Sequence, residues 1–200
     1  MRYKLSTPLA VTAIFLSLLV SSLPVVAQEN VQVIGLDAKI HGDQTPVPLY
    51  LKAGRYQVRP VGKDKGGTYS AWSVWKHSNC QNTQGCERTV PTRYAGLHNN
   101  YYVASPHLSD VHVAGKKLPT VSEIPAARNY SYFLKNEEVS AYEVAENKVY
   151  PDEKSALNAA QASTFTLDAD GRVYFSLLDK SRQDDNRGGM TLEVRQQPQY

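Results

Sequence analysis

Short segments of alternating apolar and polar residues, separated by turn signals, constrain the fold of this chain most. The clearest segments lie at residues 55–59, 164–167, 172–178 and 190–194. A period of two places one side chain inward and the next outward, which is typical of a half-buried β-strand. Such strands, spread over about 165 residues, predict an all-β domain, a jelly-roll-type antiparallel β-sandwich with long loops.

The remaining elements follow from local signals. Residues 31–34 and 38–40 predict a first, broken strand, and residues 47–51 predict another. A turn at 168–171 between two alternating segments predicts a β-hairpin, with 190–194 as its neighbour in an antiparallel sheet. One short helix is expected over 151–162, because proline precedes acids in the first turn and alanines in the body. The tyrosine-rich region 76–150 predicts long surface loops with short strands, one of them at 129–134.

The first 27 residues have the parts of an export signal. Arg2 and Lys4 give a positive start, residues 9–23 an apolar run, and residues 25–27 a Val-x-Ala cleavage step. The run is about 15 residues long, shorter than the roughly 20 of a membrane span, although an uncleaved anchor is the alternative. Cleavage predicts a secreted or periplasmic single domain over 28–200.

Charge argues against one class of partner for that domain, and hydropathy argues against another. Removing the signal takes away two basic residues and no acid, so the formal net charge falls from +3 to +1. A near-neutral domain lacks the basic field of nonspecific nucleic-acid binding. No later segment is apolar enough to span a membrane.

The two cysteines, Cys80 and Cys86, are predicted to form a disulfide, since export leads to an oxidising compartment. So small a loop fixes local shape more than it stabilises the fold. Metal ligation by this pair with His77 is the weaker alternative, because zinc sites need three or four protein ligands.

The loop between the last two strands carries the most informative chemistry. It contains Asp179, Asp184, Asp185 and Asn186, followed by two glycines. Converging carboxylates repel one another, and a calcium ion would remove that repulsion by binding carboxylate, amide and carbonyl oxygens together. The alternative is an ordinary charged surface loop, neutralised by the basic residues at 180, 182 and 187. The acids at 168–171 are better explained by a glycine-containing hairpin turn.

The only tryptophans, Trp72 and Trp75, stand three residues apart, so on a strand they face opposite ways. One of them is then available to stack on a sugar ring while the other packs in the core; the alternative buries both. We therefore take Trp72 and Trp75 as candidate carbohydrate-binding residues.

No catalytic motif is present in the sequence. The five histidines show no metal-ligand pair, and neither a nucleophile elbow, a zinc-protease motif nor a phosphate loop occurs. Glu137 and Glu138 are adjacent, so on a strand they point apart and do not suit a glycosidase pair. The sequence predicts that the protein is not an enzyme.

Two segments carry a resemblance to a known family. They are 53–75, with its glycine-headed strand and Tyr-Ser-Ala-Trp-Ser-Val-Trp run, and 170–194, with its Asp179 to Gly189 loop. Together they resemble exported bacterial domains of the PA-IL-like family, the galactose-binding, calcium-dependent lectins, which are jelly-roll β-sandwiches. About a third of the chain after residue 27 is covered, and residues 76–160 match no segment of that family.

The resemblance implies a metal site and a function. Asp179, Asp185 and Asn186 match the family's side-chain ligands, Gln183 matches the carbonyl ligand between them, and a further carbonyl comes from residues 66–69. The loop is one residue shorter than the family's, and Asp185 replaces an amide. The implied protein is a non-catalytic, calcium-centred carbohydrate-binding domain, in which Asp179 and Asn186 also reach the sugar. The first alternative is a structural or interaction protein of the cell envelope or extracellular matrix, with no sugar ligand. The second is an enzyme whose catalytic groups lie in the long middle region, which would require a pocket of converging polar groups from residues 94–150.

Overall fold

The alternation in the sequence appears in the fold as alternating burial. A computed structural model describes residues 30–42, 45–74, 80–82, 85–86, 96–118, 140–145, 148–177, 179 and 183–198. Along β11 (Ser163–Leu167), the first, third and fifth residues are buried. Strand β3 (Gly54–Pro60) begins with the same alternation. Each strand therefore has one core face, as the period of two predicts.

The described strands form two main antiparallel sheets. Their bounds, besides β3 and β11, are β1 Val31–Asp37, β2 Val47–Leu51, β4 Trp72–Ser73, β5 Cys80–Asn82, β6 Gly85–Cys86, β7 Tyr101–Ser105, β8 Leu108–Val113, β9 Lys116–Lys117, β10 Ser140–Val144, β12 Gly171–Ser176 and β13 Arg187–Gln196. Sheet A has the order β1-β13-β3-β11-β8-β9, with β4 also paired to β13; sheet B has the order β10-β7-β12-β2.

This order confirms the predicted jelly-roll sandwich. With β4, β5, β6 and the β8–β9 hairpin set aside, eight strands remain, four in each sheet. Along those eight strands, the chain changes sheet at every step except from β7 to β10, which is the path of a jelly roll. Because the predicted hairpin and its neighbour suggested local pairing, the crossing pattern was not evident from the segments alone.

The predicted C-terminal hairpin is wrong. Strand β11 pairs with β3 and β8 in sheet A, whereas β12 pairs with β2 and β7 in sheet B. Strand β13 pairs with β1 and β3, so it is not a neighbour of β12 either. With β3 on one side and β8 on the other, β11 has no free edge in its sheet, and the turn at 168–170 becomes a corner between sheets.

Three such corners meet at one end of the sandwich, which we call the corner end. They are residues 52–53, 106–107 and 168–170. Asp170 accepts hydrogen bonds from the Ala53 N–H (2.8 Å) and the Lys52 Nζ (2.7 Å), and the Asp168 N–H donates to the His107 carbonyl (3.0 Å). These contacts hold the three corners together. The long connections lie at the opposite end of the sandwich, which we call the loop end; they are 38–46, 61–74, 145–162 and 177–186.

The core between the sheets contains one polar connection. Ser163 on β11 is hydrogen-bonded through its Oγ to the hydroxyls of Tyr101 (3.2 Å) and Tyr142 (3.0 Å), which lie on sheet B. The Tyr101 hydroxyl also donates to the Gln161 carbonyl at 3.2 Å. All three side chains are buried, and burial raises the pKa of both tyrosines above the ordinary value. Apolar side chains surround this group, and Tyr56 stacks on Phe165 with ring centroids 5.5 Å apart.

The helix prediction is confirmed in a shorter form. Helix α1 spans Glu153–Ala159, and the Asp152 carboxylate caps it by accepting from the Ser155 N–H at 2.8 Å. Residues 38–40, expected to continue the first strand, form a turn, because the Ile40 and His41 N–H groups both donate to the Asp37 carbonyl. That turn carries the chain from sheet A towards sheet B.

Cys80 and Cys86 lie opposite each other in the two-stranded sheet of β5 and β6. Cys80 is buried, and no cysteine in the described part of the chain is free. The disulfide itself stays a prediction, because the Cys86 side chain lies outside the described residues. The export signal 1–27, Trp75, the strand at 129–134 and the pair Glu137 and Glu138 also lie outside them. Within the described residues, no helix is long and apolar enough to cross a bilayer.

Candidate functional site

The acidic loop lies at the loop end, between β12 and β13, and contacts the turn that follows β1. The Leu177 N–H donates to the His41 carbonyl (2.8 Å), and the Asn186 Nδ2 donates to the Ala38 carbonyl (3.2 Å). The Gln183 side chain packs so closely on Gly42 that an added Cβ there would lie 1.7 Å from it. Both ends of the loop are therefore held against residues 38–42.

One side-chain oxygen is buried in each of three predicted ligands. Asn186 is 1 % exposed, and its Oδ1 has no hydrogen-bond partner within the described structure. The Oδ1 of the preceding residue, Asp185, is also buried without a hydrogen-bond partner, and the Oδ2 of Asp179 is buried. An oxygen that is removed from water and left unbonded costs about 1–3 kcal/mol. Asp184, by contrast, is exposed.

Gln183 contributes its backbone to the same turn. Its carbonyl accepts from the Asn186 N–H at 3.1 Å, which brings residues 183 and 186 together and leaves one carbonyl lone pair. Its side-chain Nε2 donates to the Leu177 carbonyl at 3.4 Å. The structure thus places Gln183, Asp185 and Asn186 in one tight turn, and their role as metal ligands stays a prediction.

Two segments lie beside the start of β13, directly after this turn. Strand β4 pairs Ser73 with Arg187 and Trp72 with Gly188, and the Ala71 carbonyl accepts from the Gly189 N–H at 3.0 Å. The segment 66–69 lies further along β13, where the Tyr69 N–H donates to the Thr191 Oγ1. The carbonyl ligand from residues 66–69 stays a prediction.

Trp72 is not available to stack on a sugar. Its side chain is 2 % exposed, its Nε1 donates to the Asn100 carbonyl at 3.3 Å, and its ring lies 4.7 Å from the ring of His98. The contact of its ring with His98 explains the difference from the prediction. A position on a strand does not reveal which face is covered. Trp75, the second candidate, lies outside the described residues.

His98 is a residue of this region that the sequence did not single out. Its backbone pairs with Trp72 through two hydrogen bonds, and its Nε2 is buried with no hydrogen-bond partner in the described structure. Burial lowers its pKa from 6.5 to about 4, and the nearby charge of Asp179 acts in the opposite direction. The imidazole is therefore neutral at physiological pH. No spacing signal could have found it, because its neighbours come from residues 72 and 179.

The donor set suits a hard cation better than a transition metal. Among the described residues, no group of three or more His, Cys, Asp or Glu side chains could hold a metal ion. The predicted ligands are instead two carboxylates, an amide oxygen and backbone carbonyls, which is the kind of oxygen set that calcium uses.

A separate groove of about 490 Å³ lies between α1 and the 3₁₀ turn at Lys63–Lys65. Lys63 and Glu153 form an ion pair across it at 3.1 Å, with the Lys63 side chain half exposed. An enzymatic interpretation of the sequence would require a pocket with polar residues from 94–150, and none of them lines this groove.

Comparisons with protein families, with curated proteins and with solved structures found no match for this chain.

Proposed function

We propose that this protein is an exported, non-catalytic carbohydrate-binding domain of the PA-IL-like kind, which binds calcium at its loop end. One observation carries the proposal: the Oδ1 atoms of two consecutive residues, Asp185 and Asn186, are buried without hydrogen-bond partners in the described structure. Native proteins rarely leave such atoms unsatisfied, so each one calls for an explanation. A bound cation supplies it.

The residues present fit calcium. Asp179, Asp185 and Asn186 would hold the ion through side-chain oxygens, and Gln183 would hold it through its carbonyl. Calcium accepts six to eight oxygen ligands in flexible geometry, so these four leave positions open. Hydroxyl oxygens of a sugar are neutral hard donors, and a pair of them suits those positions. When bound, the ion would therefore supply both loop rigidity and direct sugar contacts, and Asp179 and Asn186 would act on the sugar through the ion, since Asn186 is only 1 % exposed.

The burial of Trp72 favours a second candidate function. Without that ring as a stacking surface, the described part of the site has no aromatic platform for a sugar. In that case the ion only braces the loops of a structural or interaction protein of the envelope or matrix. Both functions require the metal and differ in the ligand.

Calorimetric titration of calcium into chelator-treated protein tests the metal. We expect one site per chain in the wild type, at least tenfold weaker binding in Asp185→Ala, and none in Asp179→Ala. Asp184→Ala is the matched control, because it makes the same change one residue away on an exposed side chain, and it should bind like the wild type. No heat in the wild type, or an equal loss in the control, would reject the metal site.

A glycan array with and without chelator then separates the two functions. Calcium-dependent retention of a glycan by the wild type, lost in Asp185→Ala, supports the lectin. Calcium binding that raises the melting temperature while no glycan is retained supports the structural function.

Export and the disulfide belong to the same proposal. The opposed positions of Cys80 and Cys86 on β5 and β6, and the bonded state of Cys80, support the disulfide. The intact mass of protein recovered from the periplasm or medium tests both. We expect a chain that begins at Gln28 and has lost both thiol hydrogens; a retained N-terminal segment or two free thiols would contradict this part of the proposal.

A further inference from the structure

Strand β1 exposes one edge of its backbone. The Ala38 N–H donates to the Gly188 carbonyl, and the Gln196 N–H donates to the Asn30 carbonyl, so the even-numbered residues of β1 face β13. In an antiparallel pair the residues between them point their N–H and C=O groups the other way. For Val31, Val33 and Gly35, that direction leads to the edge of sheet A, where no described strand pairs with β1.

The other described sheet edges carry features that discourage pairing. The β8–β9 edge has Lys116 and Lys117, together with a bulge in β8 where Asp110 adopts φ 43°. The β2 edge contains Pro48, and the β10 edge contains the exposed Glu143. Lysine, proline, charge and bulges are the usual means by which proteins keep sheet edges from associating.

Strand β1 has none of these protections. From Val31 to Leu36 it contains neither a charged residue nor a proline. Val31 and Val33 are 38 % and 57 % exposed, so the outer face next to this edge is apolar as well. An open, uncharged edge of this kind is a template for another strand.

We infer that β1 pairs with β1 of a second copy of this chain, antiparallel about a two-fold axis at Val33. The axis sets Val33 opposite Val33 of the partner, Val31 opposite Gly35 of the partner and, by symmetry, Gly35 opposite Val31 of the partner. These three pairs use the outward-facing backbone groups, and each pair exchanges two hydrogen bonds. Sheet A then continues through both copies as one sheet.

The strand is suited to its own copy in two respects. Because Val31–Leu36 is uncharged, no like charges meet across the axis. The ladder also has a defined end, since the Asp37 N–H is already bonded to the His41 Nδ1 at 2.8 Å and cannot donate to a partner. A self-complementary, isologous contact is the commonest route to a dimer.

Light scattering coupled to size exclusion tests the inference on the purified protein. A contact of one strand per copy is small, so we expect a dimer with a dissociation constant of about 10 μM. V33K should weaken the dimer at least tenfold, because the two introduced charges would face each other across the axis. V33E should do the same, and an equimolar mixture of V33K and V33E should restore the dimer.

Tyr50→Lys is the matched control, because Tyr50 is also an exposed apolar residue on an edge strand (63 % exposed), on the edge that contains Pro48. It should dimerise like the wild type, and circular dichroism should show that all variants are folded. A monomeric wild type at about 500 μM, a dimer insensitive to V33K, or no recovery in the mixture would each overturn the inference. The test does not depend on calcium or sugar, so the proposed function and this dimer can fail separately.

Discussion

The polar connection between the two sheets gives a quantitative prediction. Ser163→Ala removes the Oγ that lies 3.2 Å from the Tyr101 hydroxyl and 3.0 Å from the Tyr142 hydroxyl. Tyr101 keeps the Gln161 carbonyl as a partner. Tyr142 keeps none within the described structure, and its hydroxyl stays buried. The variant therefore loses two hydrogen bonds and also leaves the Tyr142 hydroxyl unsatisfied.

The magnitudes follow from that difference. An unsatisfied buried hydroxyl costs about 1–3 kcal/mol, so Ser163→Ala should lower the free energy of unfolding by about 2 kcal/mol. Tyr142→Phe removes the hydroxyl that would be left unpaired, and Ser163 still bonds to Tyr101, so about 1 kcal/mol is expected. In the double variant no hydroxyl is left without a partner. Its cost should be about 1 kcal/mol less than the sum of the single costs.

Urea unfolding of the four proteins, followed by tryptophan fluorescence, measures this coupling. Ser163→Ala should also lower the melting temperature by about 4–8 °C, given about 2–4 °C per kcal/mol for a domain of this size. If the two changes add to within about 0.3 kcal/mol, the hydroxyls act independently, and the account of a shared connection is wrong.

Two further predictions concern the loop end. Since burial lowers the pKa of His98 to about 4, the unfolded chain binds a proton that the folded chain does not as the pH falls from 6.5. His98 thus favours the folded state above pH 6.5 and loses that contribution towards pH 4. Between pH 7.5 and 4.5, the free energy of unfolding in urea should fall by about 2–3 kcal/mol more for chelator-treated wild type than for His98→Gln. Equal losses in the two proteins would contradict this. Gly189→Ala places a Cβ 1.9 Å from the Leu36 carbonyl oxygen, so it should lower the free energy of unfolding by more than about 3 kcal/mol. Gly66→Ala, with φ 81° and open space around it, should lower it by only about 1–2 kcal/mol. Similar melting temperatures for the two variants would contradict this and show that β1 shifts to make room at this point.

The sequence predicts individual strands well because each strand is a local pattern. The alternation at 55–59 and 164–167 lies inside β3 and β11, and the predicted strand at 47–51 is β2. Pairing is not local: β11 is bordered by strands that begin at Gly54 and Leu108, and their competition for its edges decides where β12 goes. A glycine-containing turn was thus not sufficient to specify a hairpin.

The candidate site divides in the same way. The loop composition identified Asp179, Asp185 and Asn186, because the acids and the amide are neighbours in the chain. The position of the buried Asn186 side chain depends on its hydrogen bond to the Ala38 carbonyl, 148 positions away. The burial of Trp72 depends likewise on His98, 26 positions away. Contacts at such separations leave no periodic trace, so the surroundings of the loop emerge only from the fold.

The meeting of the three corners gives the domain a polarity. Asn30 and Gln196 are hydrogen-bonded to each other, and Gln196 lies opposite Tyr56, near the start of β3, so both chain ends leave from the corner end. Anything attached next to these residues, such as a tag, an anchor or a bead, therefore lies at the end of the sandwich opposite the loop between β12 and β13. Immobilisation through a terminus thus leaves that loop accessible when its proposed ligands are tested.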